Sequence, residues 1–371
     1  MRIERVELRL IQMLLVSPFE TSFGREFDRP AIIVSVASDG EWGYGECVAG
    51  AGPWYSYETT ETAWQVLEGY LVPAIFATEL TGPEEVPAAL ARARVRGHNM
   101  ARAALEAALW DLFAKREAIP LASLLNGSRE RIESGVSVGI QESIPALLDV
   151  IAGHRARGYR RIKIKIKPGW DLEVVETVRE RFPDLPLTVD ANSAYTLEDL
   201  ALFQTLDRLE LSMIEQPLAY DDLVDHAALQ RRLVTPICLD ESISGLAAAR
   251  AALRLGSCRI INIKPGRVGG LGNARRIHDL CQEHGVPVWC GGMLETGIGR
   301  AHNVHLASLP NFQLPNDISE SARYYEADLV TPLFELNVDG TITVPTEPGI
   351  GVAVRSDRLA EVTVRKRELA S

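Results

Sequence analysis

Leu187-Thr-Val-Asp190, Ser212-Met-Ile-Glu215 and Ile237-Cys-Leu-Asp240 recur within residues 187–240, each a short apolar run ending on a carboxylate. The three acids stand 25 residues apart, and the same step continues in both directions. Apolar or alternating runs fall at 136–140 and 162–166 before them, and at 259–264, 286–290 and 312–314 after them. Helix-like stretches fill the gaps at 171–181, 197–209, 223–233, 246–255 and 274–284. Asp171, Thr196 and Asp222 suit helix starts, and Gly158, Gly256 and Gly285 suit helix ends. Eight strands alternating with helices at this period predict a parallel β/α barrel. An open doubly wound sheet is the alternative, but no dinucleotide fingerprint follows the first strand.

The flanks read differently. Residues 1–125 place strands (2–10, 31–37) before helices (60–76, 101–116), which predicts a separate α+β domain. The barrel takes 126–331. The tail, 332–371, carries short strands at 341–344 and 351–354 and is expected to rejoin the first domain. Between the first two strands, Ser17-Pro-Phe-Glu-Thr-Ser-Phe-Gly24 reads either as a plain hairpin loop or as a lid over the barrel mouth bearing Phe19 and Phe23.

The 371 residues carry 39 Lys plus Arg against 50 Asp plus Glu, a net charge of −11, which argues against a nucleic-acid or anionic-membrane surface. No apolar run approaches a membrane span, and the start lacks the apolar core of a signal peptide. Five cysteines, an odd number without a Cys-x-x-Cys, indicate neither a disulfide framework nor a zinc site. A reducing, cytoplasmic setting is expected.

Barrel active sites form at the C-terminal ends of the strands. Asp190, Glu215 and Asp240 occupy three adjacent ends. One such residue would be an ordinary helix cap, but three in phase would repel one another unless a hard divalent cation bound them. Oxygen ligands without His or Cys favour magnesium over zinc. In Arg161-Ile-Lys-Ile-Lys-Ile-Lys167, Lys163, Lys165 and Lys167 share one strand face and the isoleucines the other. The isoleucines must meet the helices, so the lysines point inward. Lys264 ends the sixth strand, half a barrel away. A metal flanked by two ammonium groups suits abstraction of a proton α to a carboxylate.

Those residues in that order resemble the enolase superfamily, muconate-lactonising-enzyme subgroup, whose lysine-and-magnesium chemistry is already a described pattern. Ser17–Gly24, Gly135-Val-Ser-Val-Gly139, Val189-Asp-Ala-Asn192, Ile214-Glu-Gln-Pro217 and Trp289-Cys-Gly-Gly-Met-Leu-Glu-Thr-Gly297 further resemble the o-succinylbenzoate synthase / N-acylamino acid racemase family. The resemblance implies an α/β fold, a (β/α)7β modified TIM barrel with an α+β capping domain formed by the N-terminus and the C-terminal tail. It implies Lys165 as the base that removes the α-proton. Lys264 returns that proton on the other face, or stabilises the enediolate as a cation, and Lys163 supports Lys165. Asp190, Glu215 and Asp240 would bind Mg2+, or Mn2+ and other divalent cations. Asn192 belongs to the metal's surroundings, while Phe19, Ser137, Gly292 and Met293 line the acyl pocket.

The reaction is then dehydration to o-succinylbenzoate, a step of menaquinone synthesis, or racemisation of N-succinylamino acids, since both share one half-reaction. A dipeptide epimerase or a muconate cycloisomerase is the nearest enzymatic alternative. A non-catalytic binding barrel is the alternative of another class, and the intact lysines and carboxylates speak against it. Expected partners are a small-molecule carboxylate substrate and further copies of the chain in a homo-oligomer, with no nucleic acid and no membrane. Arg267, three residues after Lys264, reads equally as a residue that tunes it or as a surface charge, and Glu295 as a site or loop-bracing residue.

Overall fold

The parallel β/α repeat is present in a computed structural model that describes residues 1–22 and 24–371. Phe23 lies outside the described residues. β1 (Arg5–Thr21), β2 (Gly24–Ser38) and β3 (Glu41–Cys47) form an antiparallel meander. The C-terminal strand Thr363–Ala370 pairs with the free side of β1, giving one four-stranded sheet. This sheet and the capping helix Asn99–Arg116 bury a core of their own. The hairpin of β1 and β2 is far longer than the sequence suggested. Pairing runs from Arg5 to Thr21 with an irregularity between Leu14 and Phe19. The expected loop at 17–24 is thus mostly strand, and its tip reaches the barrel.

A short strand, β4 (Arg131–Glu133), pairs with Thr341–Thr343 beneath the barrel. The barrel itself is β5 (Gly135–Val138), β6 (Arg161–Lys165), β7 (Leu187–Asp190), β8 (Met213–Glu215), β9 (Ile237–Leu239), β10 (Ile260–Ile263) and β11 (Val288–Cys290). All seven are parallel and neighbour one another in chain order. The eighth expected strand, 312–314, is reduced to isolated bridges. Val288 bridges to Phe312, and Ser134 to Asn316. Asn316 spans the gap between the last strand and the first. Its side chain accepts from Cys290 N at 2.7 Å and donates to Glu133 O at 3.2 Å, while its carbonyl accepts from Gly135 N at 2.6 Å. Side-chain hydrogen bonds thus replace part of a ladder, which Pro310 and Pro315 would interrupt by removing donors.

The tail corrects one expectation. Thr341–Thr343 and Ala353–Val354 stay with barrel elements, pairing with β4 and with Val330–Thr331. The segment that returns to the capping sheet is Thr363–Ala370, whose polar edge position gives it no apolar run.

Inside the barrel, alternation in β6 sends Ile162 and Ile164 outward into the helix-packed layer and Arg161, Lys163 and Lys165 inward. The lower half of the barrel is filled by Met213, Cys238, Ile260 and Trp289. Over the Trp289 ring lie the Arg161 guanidinium at 4.5 Å and the Lys163 ammonium at 4.9 Å. All five cysteines are free and buried. Among the described residues no helix is long and apolar enough to cross a membrane.

Candidate active site

Register places the charges. β6, β7 and β8 align Lys165 with Asp190 and Asp190 with Glu215, and Asp240 follows the end of β9. All three carboxylates are buried. Lys163 Nζ lies 2.9 Å from Glu215 Oε2, 3.2 Å from Asp190 Oδ2 and 3.3 Å from Asp317 Oδ2. Lys165 Nζ donates to Asp190 Oδ2 and to Asn192 Oδ1, each at 2.7 Å. Lys264 Nζ lies 2.8 Å from Asp240 Oδ2 and 3.2 Å from the Tyr55 hydroxyl. Arg267 is buried, which settles against a surface charge; its guanidinium bonds Asp240 Oδ1 and the backbone oxygens of Asn262 and Ile243.

Burial raises the free energy of each lone charge, and pairing offsets it. Burial alone would depress the Lys163 pKa, but Glu215, Asp190 and Asp317 outweigh it and hold the ammonium above the ordinary lysine value. Lys264 is held up in the same way, against burial, by Tyr55 and the carboxylates of Glu241, Glu215 and Asp190. Burial would raise Asp190, yet Lys165 and Lys163 bring it well below the usual carboxylate range. At both lysines the surrounding carboxylates thus outweigh the cost of burial.

In this arrangement the lysines and Arg267 take the carboxylate oxygens. Among the described residues no three acidic, His or Cys side chains are grouped closely enough to share one ion. The donor set nevertheless suits a hard cation. Three buried carboxylates sit on neighbouring strand ends, and beside them Glu241 Oε2, Asn262 Oδ1 and Asp317 Oδ1 are buried with no hydrogen-bond partner among the described residues.

Above the charges is a cavity of about 80 Å³. Phe19, Arg29, Tyr55, Lys165, Asn192, Lys264, Gly292 and Met293 line it. Lys165 and Lys264 therefore meet one space from opposite sides of the barrel, as their strand positions predict. Phe19 reaches it from the hairpin tip, which is moored to barrel loops. Ile140 N donates to Glu20 O at 3.0 Å, and Lys167 Nζ lies 3.4 Å from Glu20 Oε1. Lys167 thus sits at the rim, beyond the end of β6. Gly292 lies where a Cβ would stand 2.5 Å from Asp317 O, so this wall tolerates no side chain. Ser137 is outside the lining. Its hydroxyl donates to Asp317 Oδ2 at 2.6 Å, beneath the cavity. Glu295 braces the loop below Met293, accepting from Met293 N at 2.8 Å and from Asn303 Nδ2 at 2.9 Å. On the other side of Tyr55, a cleft of about 600 Å³ opens between capping loop and barrel, lined by Trp54, Tyr57, Tyr220 and Arg267 among others.

Four site residues escaped the sequence reading. Tyr55 donates to Asp240 Oδ1 at 3.0 Å, Asn262 donates to Glu215 Oε1 at 2.9 Å, and Glu241 Oε1 accepts from Asn192 Nδ2 at 2.9 Å. Asp317 joins Ser137 to Lys163. For Asn262 a signal existed, since it lies two residues before Lys264 on the same inward face; the others had none.

The chain matches two family models. Residues 5–126 match the mandelate racemase / muconate lactonizing enzyme N-terminal domain, and residues 147–358 the enolase C-terminal domain-like family. It is 57% identical over 353 residues to an o-succinylbenzoate synthase of Geobacillus kaustophilus, covering 95% of this chain and 93% of that one. It is 51% identical over 367 residues to an N-succinylamino acid racemase of an Amycolatopsis species, covering 99% of each. A crystal structure of an enolase-superfamily member from Listeria innocua superposes with a TM-score of 0.95 at 42% identity, covering 100% of this chain and 99% of that one. With the barrel, its inward lysines and its strand-end carboxylates, these likenesses make the chain a member of the enolase superfamily's muconate-lactonising-enzyme subgroup, in the family of enzymes that holds the o-succinylbenzoate synthases and N-succinylamino acid racemases.

Proposed function

We propose that this enzyme removes a proton α to a substrate carboxylate and passes through an enediolate, serving o-succinylbenzoate formation, N-succinylamino acid racemisation, or both. One observation carries the reading most: Lys165 and Lys264, from strands half a barrel apart, line one small cavity whose floor is buried carboxylate. Lys165 takes the α-proton on one face. In racemisation Lys264 delivers a proton to the opposite face of the planar enediolate. In syn dehydration Lys165 returns its proton to the departing hydroxyl on its own face, while the Lys264 ammonium stays charged beside the enediolate. Lys163, held charged beneath Lys165, keeps the region electropositive toward the substrate carboxylate.

Asp190, Glu215 and Asp240 would hold a divalent cation, Mg2+ first and Mn2+ as substitute, with Asn192 nearby. Bound there, it would supply positive charge to the enediolate oxygens. Phe19, Gly292 and Met293 form the walls available to a succinyl or other acyl arm, and Ser137 acts on them through Asp317. A cytoplasmic homo-oligomer acting on a small carboxylate completes the reading.

Steady-state rates with the cyclohexadiene precursor of o-succinylbenzoate and with D- and L-N-succinylamino acids test it. Chelation should abolish turnover on both classes, and added Mg2+ or Mn2+ should restore it. Undiminished turnover after exhaustive chelation would refute the metal role. Absence of α-proton exchange with every N-succinyl and precursor substrate would refute the reaction class.

A further inference from the structure

The capping helix Asn99–Arg116 grips the segment that carries Lys264. β10 ends at Ile263, and Lys264 opens the short helical turn Pro265–Val268. Gly269 and Gly270, at φ of 90° and 123°, then lead into the barrel helix Leu271–Glu283. Gly270 stands where a helix normally places a capping side chain and has none to offer. The acceptor comes instead from the other domain. Glu106, 1% exposed, takes Gly272 N on Oε1 at 2.8 Å. Its Oε2 lies 1.7 Å from where a Cβ on Gly270 would be, so only glycine admits this approach. About two helical turns earlier, Asn99 Nδ2 donates to Arg267 O at 2.9 Å and to Ser244 O at 2.8 Å. The capping helix thus holds the turn at two points, and Arg267 within it bonds Asp240 and the end of β10.

We infer that Glu106 is a positioning residue for Lys264 and Arg267: this capping-domain carboxylate, set on the open end of the barrel helix Leu271–Glu283, fixes the turn from which Lys264 projects. Lys165 has no such dependence, since its partners Asp190 and Asn192 belong to the barrel. The inference rests on the assignment of Lys165 and Lys264 to opposite faces of the α-carbon. It separates Glu106 from a residue that merely stabilises the fold, because loss of fold affects both faces alike.

The test is deuterium exchange at the α-carbon of D- and L-N-succinylphenylalanine in heavy water, with Mg2+-loaded enzyme, for Glu106→Ala and Glu106→Gln. Glu106→Ala should slow exchange of the Lys264-served enantiomer by roughly tenfold to a hundredfold, the scale of a small misplacement of a reacting group, and the other by about twofold or less. Glu106→Gln keeps a carbonyl acceptor for Gly272 N and should recover the parent asymmetry within about threefold. If Glu106→Ala shows no cooperative melt, Glu106→Asp, too short to span the same gap, is read instead with the same expectation. Equal slowing of both enantiomers, or none, overturns the inference. Lys165→Ala and Lys264→Ala are run alongside. If each silences a different enantiomer, the two-base reading stands, and a symmetric Glu106 result counts against Glu106 alone. If they do not, the two-base reading itself fails and removes the ground of this inference.

Discussion

The two lysines that face each other across the cavity are held by different means. Lys165 is the last residue of β6, paired in register with Asp190 of β7, and its ammonium contacts Asp190 and Asn192 on the next strand and loop. Lys264 lies one residue past the end of β10. Its ammonium meets Tyr55 of the capping loop, and its following turn is held by Asn99 and Glu106 of the capping helix. One lysine is held by barrel residues, the other by barrel Asp240 and also by the joint between two domains. If the two lysines serve opposite faces of the substrate, as proposed above, the capping domain shares in setting the chemistry of one face.

Replacing the lysines gives the largest expected effects and would break the comparison if they came out alike. Lys165→Ala should lower racemisation and dehydration together by on the order of a thousandfold or more. Lys264→Ala should also abolish racemisation, yet slow dehydration only about 100- to 1000-fold, the cost of one electrostatic contact to the developing charge. Proton NMR in heavy water reads both. A Lys264→Ala enzyme that racemises at the parent rate would reduce Lys264 to a structural residue.

Tyr55→Phe sharpens the contrast at smaller amplitude. It removes the hydroxyl shared by Lys264 and Asp240. Loss of a buried hydrogen bond to a charged group should slow racemisation about tenfold or somewhat more, with exchange on the Lys165 face changed less. Comparable loss on both faces would show that Tyr55 serves the cavity as a whole.

The smallest expected effect concerns stability of the joint. Glu46 of β3 accepts from Thr296 N at 3.1 Å, Thr296 Oγ1 at 2.6 Å and Gly299 N at 2.9 Å, at the start of the barrel helix Gly297–Ala307. Burial pushes Glu46 up to about 7, with Glu295 adding to the shift against those hydrogen bonds. Glu106 is pushed to about 7 by burial as well. A folded-state pKa above the unfolded value gives stability that is fully present below the unfolded value and lost as pH rises through the folded one. The melting temperature should therefore fall between about pH 4.5 and pH 7.5 and level off above that, and the double variant Glu46→Gln, Glu106→Gln should flatten the fall. Thermal unfolding across this range checks it, and an unchanged slope would place the titration elsewhere.

The barrel was legible because its signal is local and repeated. A few apolar residues ending on Asp or Glu at a constant step specify both a strand and where it opens. Lys163 and Lys165 were legible from alternation alone. Tyr55, Asp317 and Glu106 were not, because each acts across the domain joint or the barrel seam, on residues far away in the chain. Tyr55 lies in a loop without periodicity, and nothing in the sequence around Glu106 marks it off from other polar residues on a helix. Segment 312–314 misled in the other direction. It has the composition of a strand, but neighbouring prolines leave it only bridges, and Asn316 makes the closure. The length of β1 was hidden because Leu14 and Val16 are apolar yet exposed, which blurs the alternation toward the hairpin tip.

The plug of Trp289 and its neighbours below Lys163 has a consequence for the hydrogen that the substrate gives up. With Arg161 and the indole ring filling the lower barrel, an ammonium proton on Lys165 meets solvent from the side of the cavity, which Phe19 and the hairpin strands line. While the mouth stays shut, a hydrogen taken from carbon remains inside and can be handed back. The fraction of substrate-derived label retained in product then acts as a clock. It compares the rate of reprotonation with the rate at which the entrance opens, and a shortened hairpin tip should make that clock run out sooner.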